Sequence, residues 1–111
     1  DTHCPLGPAI VTADEIDPHA LRLQTWVNGD LRQDTNTDDL IFDCFDIIEF
    51  LSTAFTLEPG DVIVTGTPSG VGMAMKPPQK LRVGDTVKVE IEGLGFIENE
   101  VIAEPADLAC Y

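Results

Sequence analysis

Three glycines, two threonines, a serine and a proline fall within the stretch Asp61-Val-Ile-Val-Thr-Gly-Thr-Pro-Ser-Gly-Val-Gly72. Such a loop can bind an anion. Gly66, Gly70 and Gly72 carry no Cβ, so backbone N–H groups can come close to a ligand, and the hydroxyls of Thr67 and Ser69 can donate hydrogen bonds to it. The chemistry suits a carboxylate or a phosphate. The same residues are turn formers, and a tight turn between two core strands would use them without any ligand. Two nucleotide sites are excluded by spacing. No Gly-Lys-Ser or Gly-Lys-Thr closes the loop, so it is not a P-loop. The three glycines also miss the dinucleotide fingerprint, and no helical pattern follows them.

Other candidate groups are weaker. Asp34-Thr-Asn-Thr-Asp-Asp39 invites comparison with a calcium loop. Counted from Asp34, the sixth position is Asp39 rather than Gly and the twelfth is Phe45 rather than Glu, so the pattern fails. A solvated polar loop is the better reading, with Asn36 and Thr37 free to point inward. Glu90-Ile-Glu92 and Glu98-Asn-Glu100 read as solvated faces of strands. Cys4, Cys44 and Cys110 are widely spaced and odd in number, and with His3 and His19 they make no zinc spacing. Reduced thiols in a cytosol-like, cytoplasmic compartment fit them better than a disulfide framework.

Six Lys and Arg stand against 20 Asp and Glu, a net charge of −14 over 111 residues. That field repels nucleic acid and anionic membranes. It also poses a question for an anion site, since attraction must come from backbone dipoles, from the few cations or from a bound metal. No apolar run approaches the ~20 residues of a membrane span, and no secretory leader pattern is present. A start at Asp1 without Met reads as a fragment or a processed chain. The length and the 43% hydrophobic content predict one domain with its own core.

The elements that must position the loop follow from periodicity. Residues 9–12 and 21–27 read as strands. Asn28-Gly29 is a two-residue hairpin signal, with 31–34 returning. Asp43 reads as a helix N-cap with Asp46 in the first turn. Cys44, Ile47, Ile48, Leu51, Ala54 and Phe55 share one helical face, which predicts a helix over about 44–56. Val62, Ile63, Val64 and Thr65 form an apolar β-branched run, expected as a buried strand leading into the loop. Residues 73–80 are irregular, either a plain connection or a lid. Val87, Val89 and Ile91 alternate with Lys88, Glu90 and Glu92, and residues 96–102 return after Gly93-Leu-Gly95. The expected core is Ile47, Ile48, Leu51, Val62, Ile63, Val64, Val87, Val89 and Ile91. This is a mostly-β α+β domain.

Cys4-Pro-Leu-Gly-Pro-Ala-Ile-Val-Thr12, Trp26-Val-Asn-Gly-Asp-Leu-Arg-Gln33, Asn36-Thr37, the run from Leu57 to Gly72, and Val87-Lys-Val-Glu-Ile-Glu-Gly93 together resemble the fumarylacetoacetate hydrolase family, in that family's order. The likeness covers about residues 1–103, with 104–111 as a tail. It is closest to the branch of small 2-oxo acid hydrolases, isomerases and decarboxylases that includes 2-hydroxyhepta-2,4-diene-1,7-dioate isomerase and acylpyruvate hydrolases. The resemblance implies a mixed β-roll or sandwich with one main helix, usually dimeric. It implies a divalent metal, Mg²⁺ or Mn²⁺, that chelates a 2-oxo-carboxylate and stabilises an enolate. It places the metal's Glu-x-Glu pair, the following Asp and a site Lys upstream of residue 1, so no metal ligand and no catalytic residue is assigned within this chain. Only Gly66, Thr67 and Pro68 carry over, as the loop that contacts the substrate carboxylate, with Thr67 facing substrate and Thr65 serving packing. The chain by itself is then expected to be inactive. The competing reading is a non-catalytic acidic β-rich binding module on the same fold.

Overall fold

The computed structural model describes residues 3–104. Four strands form one open antiparallel sheet: β1 (Arg22–Val27), β2 (Asp30–Asn36), β3 (Thr86–Ile91) and β4 (Gly95–Glu100), in the spatial order β2-β1-β3-β4. One helix, α1 (Cys44–Ala54), follows the first hairpin. The α+β class and the main helix are those expected.

Local chemistry accounts for the hairpins. Asn28 and Gly29 both take positive φ, +52° and +83°, so β1 turns into β2 in two residues. Asn28 does further work. Its backbone N–H donates to the Thr86 carbonyl at 2.9 Å, its Oδ1 accepts from the Thr86 N–H at 2.9 Å, and its Nδ2 donates to Asp85 Oδ1 at 2.9 Å. The turn of the first hairpin is thereby tied to the start of β3, which pairs with β1 from Val27↔Val87 to Leu23↔Ile91. The bond from Asn28 and another from the Arg82 N–H hold the Asp85 carboxyl below its usual pKa.

The start of α1 is closed by a reciprocal cap. Asp43 Oδ1 accepts from the N–H groups of Phe45 and Asp46, each at 2.8 Å, while Asp46 Oδ2 accepts from the Asp43 N–H. The Cys44 N–H donates to His19 Nε2 at 3.0 Å, and the His19 ring lies 5.2 Å from that of Phe45. In the full-length protein, Asp43→Ala should therefore lower stability by about 0.5–2 kcal/mol, while Asp43→Asn should lose much less. A urea midpoint that does not separate the two variants would refute the cap as a stabilising element.

Three expectations are corrected. Residues 9–12 and 62–65 form no strand. A β-branched run needs a neighbour to pair with, and neither segment is hydrogen-bonded into the four-stranded sheet. The expected core is likewise not enclosed. Among the described residues no side chain is fully buried: Ile47, Leu51, Ile63, Val87, Val89 and Ile91 are half-buried, while Ile48, Val62 (67%) and Val64 (81%) are exposed. The reason is the layering. A sheet buries a face only against a second layer, and α1 does not pack closely on any strand. The Cα radius of gyration, 16.2 Å, exceeds the about 13 Å of a compact domain this size.

The polar face of β3 differs too. Lys88 Nζ lies over the rings of Trp26 and Phe96, 4.9 and 4.5 Å from their centroids, and bonds Glu90 at 2.7 Å. Aromatic neighbours on β1 and β4 thus half-cover a face whose alternation had read as wet. The tail expected over 104–111 lies outside the described residues from 105 on, as does Cys110.

Candidate functional site

β2 is an edge strand, and it carries a bulge. Thr25 faces Gln33 and Trp26 faces Leu31, which leaves Arg32 as an extra residue. A bulge breaks strict alternation and re-aims side chains. Here the consecutive residues Arg32 and Gln33 both reach the glycine-rich segment and the loop behind it.

Gln33 holds the first part. Its Nε2 donates to Thr67 Oγ1 at 2.9 Å and to the Pro68 carbonyl at 3.0 Å. Thr67 is exposed and Pro68 half-buried. Gly66 precedes them at φ +100°, with nothing within 4 Å of where a Cβ would stand. Gly70 then crosses against β2. A Cβ at Gly70 would collide with the Arg32 carbonyl oxygen, lie 2.9 Å from the Arg32 carbonyl carbon and meet Gln33 Cγ at 3.0 Å.

Arg32 holds the second part. Its Nη1 donates to Gln79 Oε1 and to Met75 Sδ, the latter at 3.2 Å. The Gln79 N–H donates to the Gly72 carbonyl at 2.8 Å, and a short 3₁₀ turn spans Gly72–Ala74. Residues 73–80, expected as a plain connection or a lid, are pinned at Met75 and Gln79 to the strand that holds Thr67.

Thr67 and Pro68, with Gly66 just before them, are thereby fastened to the flank of β2 through Gln33. Thr65 is exposed there, so the packing role expected for it is not seen. Asn36 and Thr37 are half-buried and bond the backbone: Asn36 Oδ1 accepts from the Asp38 N–H as a local cap, and Thr37 Oγ1 accepts from the Leu21 N–H. Glu90 pairs with Lys88 and Glu92 accepts from the Arg22 N–H, the work of ordinary strand residues. An open hollow of about 350 Å³ is lined by Arg22, Gln24, Glu90, Ile91 and Glu92, none of them in the loop. Gln33 is the residue that sequence reasoning missed. It stands beside the Asn28-Gly29 hairpin inside a recognised segment, but only the bulge shows that it faces the loop.

Among the described residues no three His, Cys, Asp or Glu side chains come together so as to hold a metal ion, and these residues by themselves do not fit a divalent cation. Among them, too, no helix is long and apolar enough to cross a membrane.

The described residues form an antiparallel α+β unit whose glycine- and threonine-rich loop is fastened to a bulged edge strand. The family model described as fumarylacetoacetate (FAA) hydrolase C-terminal matches residues 1–102, and the chain belongs to the fumarylacetoacetate hydrolase family. It is 52% identical over 103 residues to oxaloacetate tautomerase Fahd2a, mitochondrial, of Rattus norvegicus, covering 92% of this chain and 33% of that protein. A fumarylacetoacetate hydrolase from psychrophilic Exiguobacterium antarcticum superposes with a TM-score of 0.90 at 49% identity, over 94% of this chain and 38% of that one. Maleylpyruvate hydrolase from Sphingobium sp. SYK-6, solved with manganese(II) ion and pyruvate, gives 0.81 at 45% identity, over 92% and 36%. The chain thus spans about a third of the length of the curated relatives it matches.

Proposed function

We propose that this chain supplies the substrate-carboxylate loop of an enzyme that acts on 2-oxo acids or β-dicarbonyl compounds by C–C hydrolysis, isomerisation, tautomerisation or decarboxylation. The observation that carries this reading is Thr67: its hydroxyl is exposed, yet its position is fixed by Gln33 and by the close passage of Gly70 over β2. A hydroxyl held in place next to a glycine turn can receive a carboxylate without first being ordered, which lowers the entropic cost of binding. The Sphingobium relative was solved with pyruvate, itself a 2-oxo acid.

The same relative holds manganese, and we extend the proposal to dependence on Mg²⁺ or Mn²⁺, with ligands upstream of residue 1. When bound, such an ion supplies Lewis-acid polarisation of the 2-oxo-carboxylate. The residues of this chain orient the substrate. We place the protein in an aqueous, thiol-reducing compartment, the cytoplasm by first choice, as a homodimer with a small-molecule substrate and without nucleic-acid or membrane partners.

Thr67→Val in the full-length gene product should lower kcat/KM for oxaloacetate or an acylpyruvate by about 1–3 kcal/mol, the loss for an under-satisfied charged group. Thr65→Val should have little effect. EDTA should abolish turnover and added Mn²⁺ restore it. Equal effects of the two threonine variants would remove Thr67 from the site. Carboxylate binding without turnover under any metal would favour the non-catalytic module instead.

A further inference from the structure

We propose that Gln33 is a positioning residue that forces the Thr67 hydroxyl to act as a hydrogen-bond donor toward substrate; this rests on the assignment of Thr67 to the carboxylate site. The chemistry of the contacts settles which end of the amide faces the loop. One terminal atom of Gln33 lies within hydrogen-bond range of both the Pro68 carbonyl, at 3.0 Å, and Thr67 Oγ1, at 2.9 Å. A carbonyl oxygen can only accept, so the amide group facing Pro68 is the NH₂. That nitrogen has two hydrogens and no acceptor capacity. Its second hydrogen goes to Thr67, whose oxygen must accept.

A hydroxyl has one hydrogen and two lone pairs. With one lone pair filled by Gln33, the Thr67 O–H cannot point back at that nitrogen and is left to donate elsewhere. Thr67 is exposed, so an arriving ligand can reach that hydrogen. An anion arriving there meets a donor already turned toward it, where a freely rotating hydroxyl would present a lone pair part of the time. The bulge at Arg32 is what brings Gln33 to this place. Gly70 keeps it there, since the absence of a Cβ leaves room for Gln33 Cγ beside the crossing chain.

The test reverses the polarity. In Gln33→Glu the group facing Thr67 and Pro68 can only accept, so the hydroxyl turns to donate to the new carboxylate and is lost to substrate. Gln33→Met removes the donor and leaves the hydroxyl free to rotate. In the full-length protein, with whichever of oxaloacetate and an acylpyruvate it turns over faster, Gln33→Glu should raise KM about ten- to hundredfold, the loss of one hydrogen bond to a charged group. Its kcat should change less, and Gln33→Met should fall between Gln33→Glu and wild type. The Gln33→Met effect should shrink to less than about twofold when Thr67→Val is already present, since Gln33 then has no hydroxyl to orient, whereas Gln33→Glu keeps the repulsion between its own carboxylate and the substrate's. Equal Gln33→Met losses with and without Thr67→Val would mean that Gln33 merely supports the loop, and would overturn the proposal. So would a Gln33→Glu protein with wild-type KM while Thr67→Val raises it. If Thr67→Val itself leaves kcat/KM unchanged, the assignment of Thr67 fails first, and the proposal falls with it.

Discussion

Gly70→Ala should destabilise the full-length protein by about 2–6 kcal/mol and remove most of its activity. Two independent costs add. Gly70 sits at φ +102°, where an L side chain is strained by about 1–3 kcal/mol. The new methyl would also run into the Arg32 carbonyl, which is backbone in a bulged strand and cannot rotate away. Forcing such a contact typically costs a further 1–3 kcal/mol or shifts the chain. A shift of this crossing would carry Thr67 and Pro68 off Gln33, so stability and substrate binding should fail together. Gly66→Ala is the internal control. Its φ, +100°, is almost the same, but nothing lies within 4 Å of the added atom. It should therefore show the strain alone. Urea midpoints and KM for both variants decide the matter. Equal losses for Gly66→Ala and Gly70→Ala would mean that the close approach to β2 has no energetic weight.

That contrast marks the limit of what the sequence makes legible. Asn28-Gly29, the Asp43 cap and the alternating β3 can be read directly, because each is settled by residues a few positions apart. Gly66, Thr67 and Pro68 can be picked out as a loop with anion chemistry for the same reason. The bulge at Arg32 cannot. It has no composition signal, and it appears only when β2 is laid against β1. Gln33 was therefore invisible as a partner of Thr67, although its type suits the task. The run 62–65 fails in the opposite way. Its β-branched residues have strand propensity, but propensity describes fit to a pleated surface with neighbours. Here Val62 and Val64 point at none. Likewise, the apolar stripe of α1 correctly predicts a helix, but periodicity cannot say what lies opposite the stripe.

The unmatched stripe leads to the other large expected effect. Residues 1–111 expressed alone should not unfold as a cooperative domain, and should show no turnover. Fixing the backbone costs about 1–2 kcal/mol per residue, and fully burying a Val, Leu, Ile or Phe side chain returns about 1.5–3 kcal/mol. No side chain among the described residues is fully buried, while Ile41 (90%) and Phe50 (74%) stand open together with Phe45, Ile48, Val62 and Val64. Hydrogen-bonded hairpins alone do not offset that cost, because each bond replaces one with water. The expected result is a broad urea transition, strong binding of an apolar dye such as ANS, and association that grows with concentration. Catalysis should be absent for a separate reason: enolate formation needs concentrated positive charge, and the chain offers six Lys and Arg against 20 acids, with no metal-holding cluster among the described residues. Supplying Mn²⁺ should change neither result. In the full-length protein the same segment should be protected, and Ile48→Ala, now a change in packed surface, should cost about 2–5 kcal/mol. A single sharp transition of monomeric 1–111, with a urea slope of about 1 kcal/mol/M or more, would show that this sheet and helix stand without a covering layer.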